Sequence, residues 1–193
     1  MDNEKKSFYS KYLKQRLTQI ITSKMIFSCT QKVIEKTKKH YKTEKEKAEV
    51  GANNWYVNLL SIGRKKGLLF VHSETLYMTF IEDATIKTIK NLQFIFINQL
   101  REDLMNADFD PSSVDAYLSS SPSLQISKTN SRRVLGVMNE INYYFPMYFE
   151  PESSRIELLK TLNGILYTYP GAENKKEYRY PVKEMEKLLS SIK

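Results

Sequence analysis

Most of the residue patterns that would identify an enzyme are missing from this sequence. It has one cysteine, Cys29, so no intramolecular disulfide can form, as is typical of proteins from a reducing compartment. The two histidines, His40 and His72, lie far from each other and from Cys29 in the sequence, which argues against a zinc site. There is no phosphate-binding Gly-Lys-Ser/Thr loop, no dinucleotide glycine motif and no calcium-loop pattern. We therefore expect no cofactor and no metal, and a non-catalytic protein is favoured.

Long apolar runs are also missing. A membrane-spanning helix needs about 18 or more consecutive apolar residues, and no segment approaches that length. The N-terminus is polar and amphipathic, without the charged-then-apolar pattern of a signal peptide. These absences predict a soluble, cytoplasmic protein with no membrane partner.

Positive charge is present in excess. The net charge is +8 and the isoelectric point is about 9.3, and nearly all of the excess falls in roughly the first 50 residues. A basic chain of this kind favours association with nucleic acid or with acidic proteins. A lysine-rich surface can also serve solubility alone, and composition does not separate these two interpretations.

Apolar residues at helical spacing predict an amphipathic helix over residues 5–22, with lysines covering much of its other face. This helix makes residues 1–24 a basic N-terminal extension ahead of a single α/β domain over residues 25–193. Three roles are open for it: packing on the domain, docking on a partner protein, or pairing with a second copy of the chain as a homo-oligomer.

The segment from Trp55 to Glu82 predicts three strands joined by two tight turns. Its first turn is Gly63–Gly67, where two glycines permit positive φ. The second turn lies at Ser73 and Glu74. The fold class expected is therefore α/β (α+β), an antiparallel β-meander packed with helices on one face.

Other periodic segments predict further strands and helices around the meander. The predicted strands are 25–30 and 124–127, and the predicted helices are 32–39, 85–106, 112–118, 131–145, 155–162 and one that begins at Pro181. The helix over 85–106 has the strongest apolar stripe, and Asp83 or Thr85 is its candidate N-cap.

Short motifs recur along the chain in a recognisable order. They are MIFSCTQK from Met25, WYVN from Trp55, KKGLLFV from Lys65, KTN from Lys128 and VLGVMN from Val134. In that order they resemble a bacterial domain family of unknown function, over roughly Met25 to Leu189. The resemblance implies a compact α/β domain found in bacteria and mobile elements, with no assigned activity. The family tends to carry small hydroxyl residues near Arg133 and Val137, so a function of those hydroxyls is in doubt for this chain.

Two basic clusters supply the candidate anion-binding or nucleic-acid-binding residues. They are Arg64, Lys65, Lys66, Lys128, Asn130, Arg132 and Arg133. The first three form the hairpin tip, where a protruding basic turn can contact phosphates. The others approach a helix N-terminus, whose free amides and dipole attract anions. Arginines in that first turn oppose the dipole, and a bound phosphate or acidic partner would offset the cost. In the alternative, Asn130 only caps the helix.

Several residues near these clusters have a structural alternative to a functional role. Trp55 and Tyr56 could stack on bases, although a lone tryptophan that opens a strand is more often part of the core. His72 cannot form a working triad with its neighbours in sequence, because adjacent residues of a strand point to opposite faces. Cys29 is interpreted as a small buried apolar group.

The leading hypothesis is a non-catalytic binding module for an anionic macromolecule, either nucleic acid or an acidic protein, in a bacterial or phage setting. The second is a regulator or inhibitor that docks through the N-terminal helix. The third is a small metal-independent ribonuclease of the toxin type, because such chemistry can use Lys, Arg, Tyr and His alone.

Overall fold

The computed structural model describes residues 24–46, 48, 50–119, 123–148, 154–170 and 176–192. The predicted helix over residues 5–22 lies outside the described residues. The strands are β1 Met25–Cys29, β2 Asn54–Ile62, β3 Lys65–His72, β4 Met78–Ile81, β5 Leu124–Lys128, β6 Tyr167–Pro170 and β7 Lys176–Arg179. The helices are α1 Gln31–Thr37, α2 Ile86–Lys90, α3 Leu92–Asn106, α4 Pro111–Ser119, α5 Arg132–Tyr148, α6 Arg155–Asn163 and α7 Pro181–Ser190.

The main sheet has five strands in the order β4-β3-β2-β1-β5. The predicted antiparallel meander is present in β2, β3 and β4. The fold class is nevertheless mixed, because β1 runs parallel to both β2 and β5. A parallel neighbour requires a long crossover, and residues 30–53, which include α1, carry the chain from β1 back to the start of β2. The predicted α/β class is therefore confirmed, and the predicted meander forms only one part of a mixed sheet.

Helices cover both faces of this sheet, so the prediction of helices on one face was wrong. One face packs on α1 to α4 and α7, which we call the first layer. The other packs on α5, α6 and β6, which together with β7 form the second layer. The central strands require this arrangement because they are apolar on both sides. In β3, Phe70 is buried against the first layer and Leu69 and Val71 against the second.

An aromatic cluster fills the space between the sheet and the first layer. The ring of Phe96 in α3 lies 4.9 Å from Phe27, 5.1 Å from Trp55 and 4.5 Å from Phe70, measured between centroids. The Trp55 indole nitrogen donates to the Tyr117 hydroxyl at 3.1 Å. Trp55 and Tyr56 each have 0% exposure. The idea that they stack on bases is therefore wrong, because neither ring reaches solvent.

The β2–β3 hairpin is tighter than the sequence suggested. Its loop is the pair Gly63–Arg64, since Ile62 and Lys65 are paired across the strands. Gly63 has φ of +55°, the conformation that glycine supplies at the first position of a two-residue hairpin loop. Gly67 lies within β3, where an added Cβ would lie 2.4 Å from the Ile81 carbonyl oxygen. This glycine therefore permits close approach of β4 and is not a turn residue.

The predicted helix over 85–106 is divided at Asn91 into α2 and α3. Its candidate cap is Thr85, whose hydroxyl accepts a hydrogen bond from the Thr88 amide at 3.2 Å. Among the described helices, none is long and apolar enough to cross a bilayer.

Both outer strands of the sheet have partners for their outward-facing backbone groups. The Asn163 side chain accepts from the Met78 amide at 2.8 Å and donates to the Met78 carbonyl at 3.0 Å. At the opposite side, Thr43 forms a bridge with Ile126, and the Glu44 amide donates to the Ile126 carbonyl at 2.8 Å. The sheet edges are therefore covered at these positions.

Candidate functional site

The β2–β3 hairpin places three of the predicted residues together. Arg64, Lys65 and Lys66 are all exposed, and none forms an ion pair with a carboxylate of the described residues. The Lys66 ammonium donates to the Ser61 hydroxyl at 2.7 Å, which holds it along the side of the hairpin. The hairpin therefore presents its positive charge to solvent without neutralisation.

Two lysine-bearing helices lie beside this hairpin. The Lys66 carbonyl accepts from the Ala84 amide at 2.7 Å, which fixes the start of α2 against the base of the hairpin. Helix α1 contacts α2, and the Tyr41 hydroxyl donates to the Lys90 carbonyl at 3.1 Å. We define the basic edge as the exposed cations of the hairpin, of α2, and of α1 with the turn that follows it: Arg64, Lys65, Lys66, Lys32, Lys36, Lys39, Lys87 and Lys90.

The charge of the basic edge is largely uncompensated. None of its members is ion-paired within the described part of the chain. On α1, Glu35 pairs with Lys38, which is not counted among them, and this pairing lowers the pKa of the Glu35 carboxyl. Glu82 and Asp83 are exposed next to α2 and are the nearest acidic residues in sequence to its lysines. Even so, cations outnumber carboxylates along this edge.

An exposed aromatic side chain follows these lysines. Phe94 lies in the first turn of α3, four residues after Lys90, and its exposed fraction is 70%. A single exposed apolar side chain is common on a folded domain and does not by itself indicate a partner, so the relevant feature of Phe94 is that it follows the exposed lysines of α2. The combination of solvated lysines and an accessible ring is typical of surfaces that bind single-stranded nucleic acid.

The second predicted cluster does not join the basic edge as a unit. Lys128 is exposed at the end of β5 and Arg132 is exposed at the start of α5. The Asn130 side chain is occupied, since its amide donates to the Ala48 carbonyl at 2.7 Å and its oxygen accepts from the Tyr56 hydroxyl. Ser131 supplies the cap instead, because its hydroxyl accepts from the Val134 amide at 3.4 Å. Asn130 thus joins neighbouring segments and does not cap the helix.

Arg133 lies on the inner side of α5 and is partly buried. Its Nη2 donates to the Ser73 carbonyl at 3.1 Å, and its guanidinium lies 5.0 Å from the centroid of the Tyr169 ring. Its Nη1 is buried without a hydrogen-bond partner among the described residues, and burial lowers the pKa of this guanidinium. Ser73 follows the end of β3, about 25 Å along the strand from the hairpin tip at ~3.3 Å per residue. Arg133 is therefore remote from Arg64, Lys65 and Lys66.

Sequence reasoning missed a buried ion pair between α3 and α6. Asp103 accepts from Arg155 Nε at 2.9 Å and Nη2 at 2.8 Å, from Gln99 at 3.2 Å, and from the Thr79 hydroxyl. Exposure is 1% for the Asp103 side chain and 21% for that of Arg155. A signal was available, because Asp103 interrupts the apolar stripe that contains Leu100 and Leu104.

A cavity of about 250 Å³ lies beside this ion pair. Its lining comes from α3, α6, α7 and the residue that precedes β4, and consists of Tyr77, Asp103, Asn106, Ala107, Ile156, Leu159, Lys160, Asn163 and Val182. Burial is the main reason that the pKa of Tyr77 is raised, with a further rise from Asp103 that Arg155 partly offsets. The cavity is open to solvent, because its lining residues Asn106, Ile156 and Lys160 are exposed. A concave site lined by apolar side chains with a few polar groups is the usual form of a small-molecule site.

Cys29 and His72 both lie in the interior of the domain. Cys29 is buried, and burial raises the pKa of its thiol. His72 has no exposed surface; its Nε2 lies 2.8 Å from the Ala52 carbonyl and its Nδ1 accepts from the Thr75 amide at 3.1 Å. No cluster of His, Cys, Asp and Glu suited to a metal occurs in the described ranges.

These features define a mixed α/β domain with a five-stranded sheet between two layers, a basic edge and a small cavity that opens to solvent. The chain belongs to the family described as Domain of unknown function (DUF6933), whose model matches residues 26–184. This confirms the resemblance seen in the motifs. No curated protein and no solved structure matches the chain. Family membership therefore supplies no activity, and function has to be argued from the site.

Proposed function

We propose that this domain is a non-catalytic binding module for an anionic macromolecule in a bacterial or phage setting, and that its ligand is single-stranded nucleic acid. The observation that supports this is the basic edge, where exposed cations from the hairpin, α1 and α2 lack carboxylate partners among the described residues. Lysines that neutralise phosphates release counterions and bind without reference to sequence. We therefore expect weak base preference and strong salt dependence.

The exposed ring of Phe94 favours nucleic acid over an acidic protein. A base can stack on a phenylalanine, and such a contact contributes about 1–3 kcal/mol per base. An acidic polypeptide offers charge to the lysines but no equivalent flat partner. Single strands are favoured over duplexes because their bases are free to reach the ring.

Fluorescence anisotropy with a labelled 20-nucleotide single strand tests the proposal, with a duplex and polyglutamate as comparison ligands. We expect the affinity for the single strand to fall by an order of magnitude or more as salt rises from about 50 to 200 mM. Phe94→Ala should weaken single-strand binding by about tenfold and leave polyglutamate binding unchanged. Equal affinity for polyglutamate, with no effect of Phe94→Ala, would support an acidic protein as the partner instead.

A pair of charge-matched variants tests whether the basic edge is the site. Lys87→Gln with Lys90→Gln removes two unpaired cations, and Lys183→Gln with Lys187→Gln removes two that pair with Glu186 and Glu184 on α7. The first variant should weaken binding and reduce the salt slope by about 0.7 for each phosphate that is no longer neutralised. The second should behave as the wild type. An equal weakening in both would show that net charge alone is responsible, and the proposal would fail.

Incubation of the protein with the same labelled single strand tests the ribonuclease hypothesis. The strand recovered after incubation is run on a denaturing gel, with and without chelator. The binding proposal predicts intact strand; His72 is buried and cannot act as an acid or base towards a bound substrate, so His40, which is exposed, is the histidine to replace if cleavage occurs. Cleavage that survives repurification would replace the binding proposal with an enzymatic one.

A further inference from the structure

We propose that the cavity between α3, α6 and α7 binds a small carboxylic acid with an apolar body the size of one aromatic ring. This site lies away from the basic edge and does not depend on nucleic-acid binding.

The first observation is a buried tyrosine whose hydroxyl has no partner. Tyr77 lines the cavity with 1% of its surface exposed, and its hydroxyl makes no hydrogen bond with any described residue. The hydroxyl is not sealed in the protein interior, so it keeps its hydrogen-bonding capacity for a ligand or for water. Tyr117 and Tyr169, also buried, donate to the carbonyls of Ala52 and Thr75. The Tyr77 hydroxyl is thus placed to serve a ligand.

The size and walls of the cavity limit the class of ligand. A cavity of about 150 Å³ accommodates benzene, and this one is about 250 Å³. One aromatic ring with a short side chain therefore fits. Ala107, Ile156, Leu159 and Val182 supply apolar lining. Water could form a hydrogen bond with the Tyr77 hydroxyl. It would also hydrate the apolar lining, which is less favourable than contact with an apolar ligand.

The charged residues that line the cavity indicate which polar group the ligand carries. Asp103 is already neutralised, because its two oxygens accept from Arg155, Gln99 and Thr79, so it has no free position for a cationic ligand. Lys160 is exposed on the lining and forms no ion pair within the described residues. An ammonium group donates and cannot accept. An anionic oxygen is therefore the complementary group, with Lys160 as its counterion and Tyr77 as a hydrogen-bond donor.

Three probes of the same shape test the assignment by calorimetry and thermal unfolding: 3-phenylpropionate, its neutral amide, and 3-phenylpropylamine. We expect the acid to bind and to raise the melting temperature in a concentration-dependent manner. The amide should bind about tenfold more weakly and the amine should not bind measurably. Equal affinities for the acid and the amide would overturn the proposal. So would an unchanged melting temperature with every probe present at millimolar concentration, about 10-fold above the protein.

Variants then locate the site. Lys160→Gln should remove the preference for acid over amide, whereas Lys187→Gln, an ion-paired lysine on α7, should keep it. Tyr77→Phe should lower the affinity for the acid several times. It should leave the structure unchanged, because the Tyr77 hydroxyl makes no hydrogen bond with a described residue that would be lost. Ala107→Leu, which fills the cavity, should abolish binding and gives an independent reading if Tyr77→Phe unfolds. Unchanged acid affinity in both Lys160→Gln and Ala107→Leu would show that the acid binds elsewhere and would refute the site.

Discussion

Two of the arginines in the second layer, Arg133 and Arg155, each lie over an aromatic ring but differ in their other partners. Each guanidinium lies over an aromatic ring, Arg155 at 4.1 Å from the Phe80 centroid and Arg133 at 5.0 Å from that of Tyr169. Arg155 also has a carboxylate that accepts two of its hydrogen bonds. Arg133 has one backbone carbonyl, and burial lowers the pKa of its guanidinium.

These different partners mean that burying a positive charge costs a different free energy at Arg155 and at Arg133. At Arg155 the charge is matched and forms part of the contact between α3, α6 and β4. At Arg133, within the described part of the chain, it is compensated by a carbonyl dipole and a ring and by no carboxylate. Stability should therefore depend strongly on the first arrangement and weakly on the second.

The largest effect is expected from removing the carboxylate of the matched pair. Asp103→Ala leaves the Arg155 guanidinium partly buried without its counterion, which should cost about 3 kcal/mol of the free energy of unfolding. Urea denaturation measures this loss. The control is Asp115→Ala, which breaks the exposed Arg101–Asp115 pair and should cost less than about 1 kcal/mol. Similar losses in the two variants would mean that the buried ion pair contributes no more to the free energy of unfolding than the exposed one.

An effect of similar size on one side only distinguishes the two arginines directly. Arg155→Met leaves Asp103 as an unpaired buried charge and should destabilise by about 3 kcal/mol. Arg133→Met removes one hydrogen bond and a partly buried charge that has no carboxylate, so its change should stay within about 1 kcal/mol in either direction. Both are measured by urea denaturation at neutral pH. If Arg133→Met is the more damaging variant, the distinction drawn between the two sites is wrong.

The smallest effect is a response to alkali at Tyr77, next to the matched pair. Burial raises the pKa of this phenol, so the folded state keeps a proton that the unfolded chain loses above about pH 10. The contribution of Tyr77 to the free energy of unfolding is therefore fully present below about pH 10 and is lost as the pH rises further. Between about pH 9 and 11 the Tyr77→Phe variant should lose about 1 kcal/mol less than the wild type. Parallel losses, measured by chemical denaturation, would show that Tyr77 ionises freely in the folded state.

Local patterns in the sequence were sufficient for the separate elements and insufficient for their arrangement. The strand from Met25 and the helix that begins at Pro181 were predicted because their apolar spacing and proline position are local signals. The parallel pairing of β1 was not, because it depends on a crossover whose path is set by packing. Neither the division at Asn91 nor the antiparallel pairing of β6 with β7 had a sequence signal strong enough to predict it.

The candidate sites show the same limit. The cations of the hairpin were predicted together because they are adjacent in sequence. Lys87 and Lys90 were missed because only the fold brings α2 against the base of that hairpin. Arg133 was predicted as a surface cation, and the sequence carried no sign that the start of α5 would turn it towards Ser73 and Tyr169. The cavity beside Asp103 was missed although a charged residue in an apolar stripe was visible.

The closed borders of the sheet have a consequence for how this protein meets other molecules. Asn163 occupies both outward backbone groups of Met78, and Arg155 donates to the Phe80 carbonyl at 2.6 Å. An extended peptide cannot dock there as a sixth strand unless it displaces α6, and the segment at Thr43 blocks the far border in the same way. A partner that meets the five-stranded sheet at these positions has to contact side chains, because the outward backbone groups there already have hydrogen-bond partners.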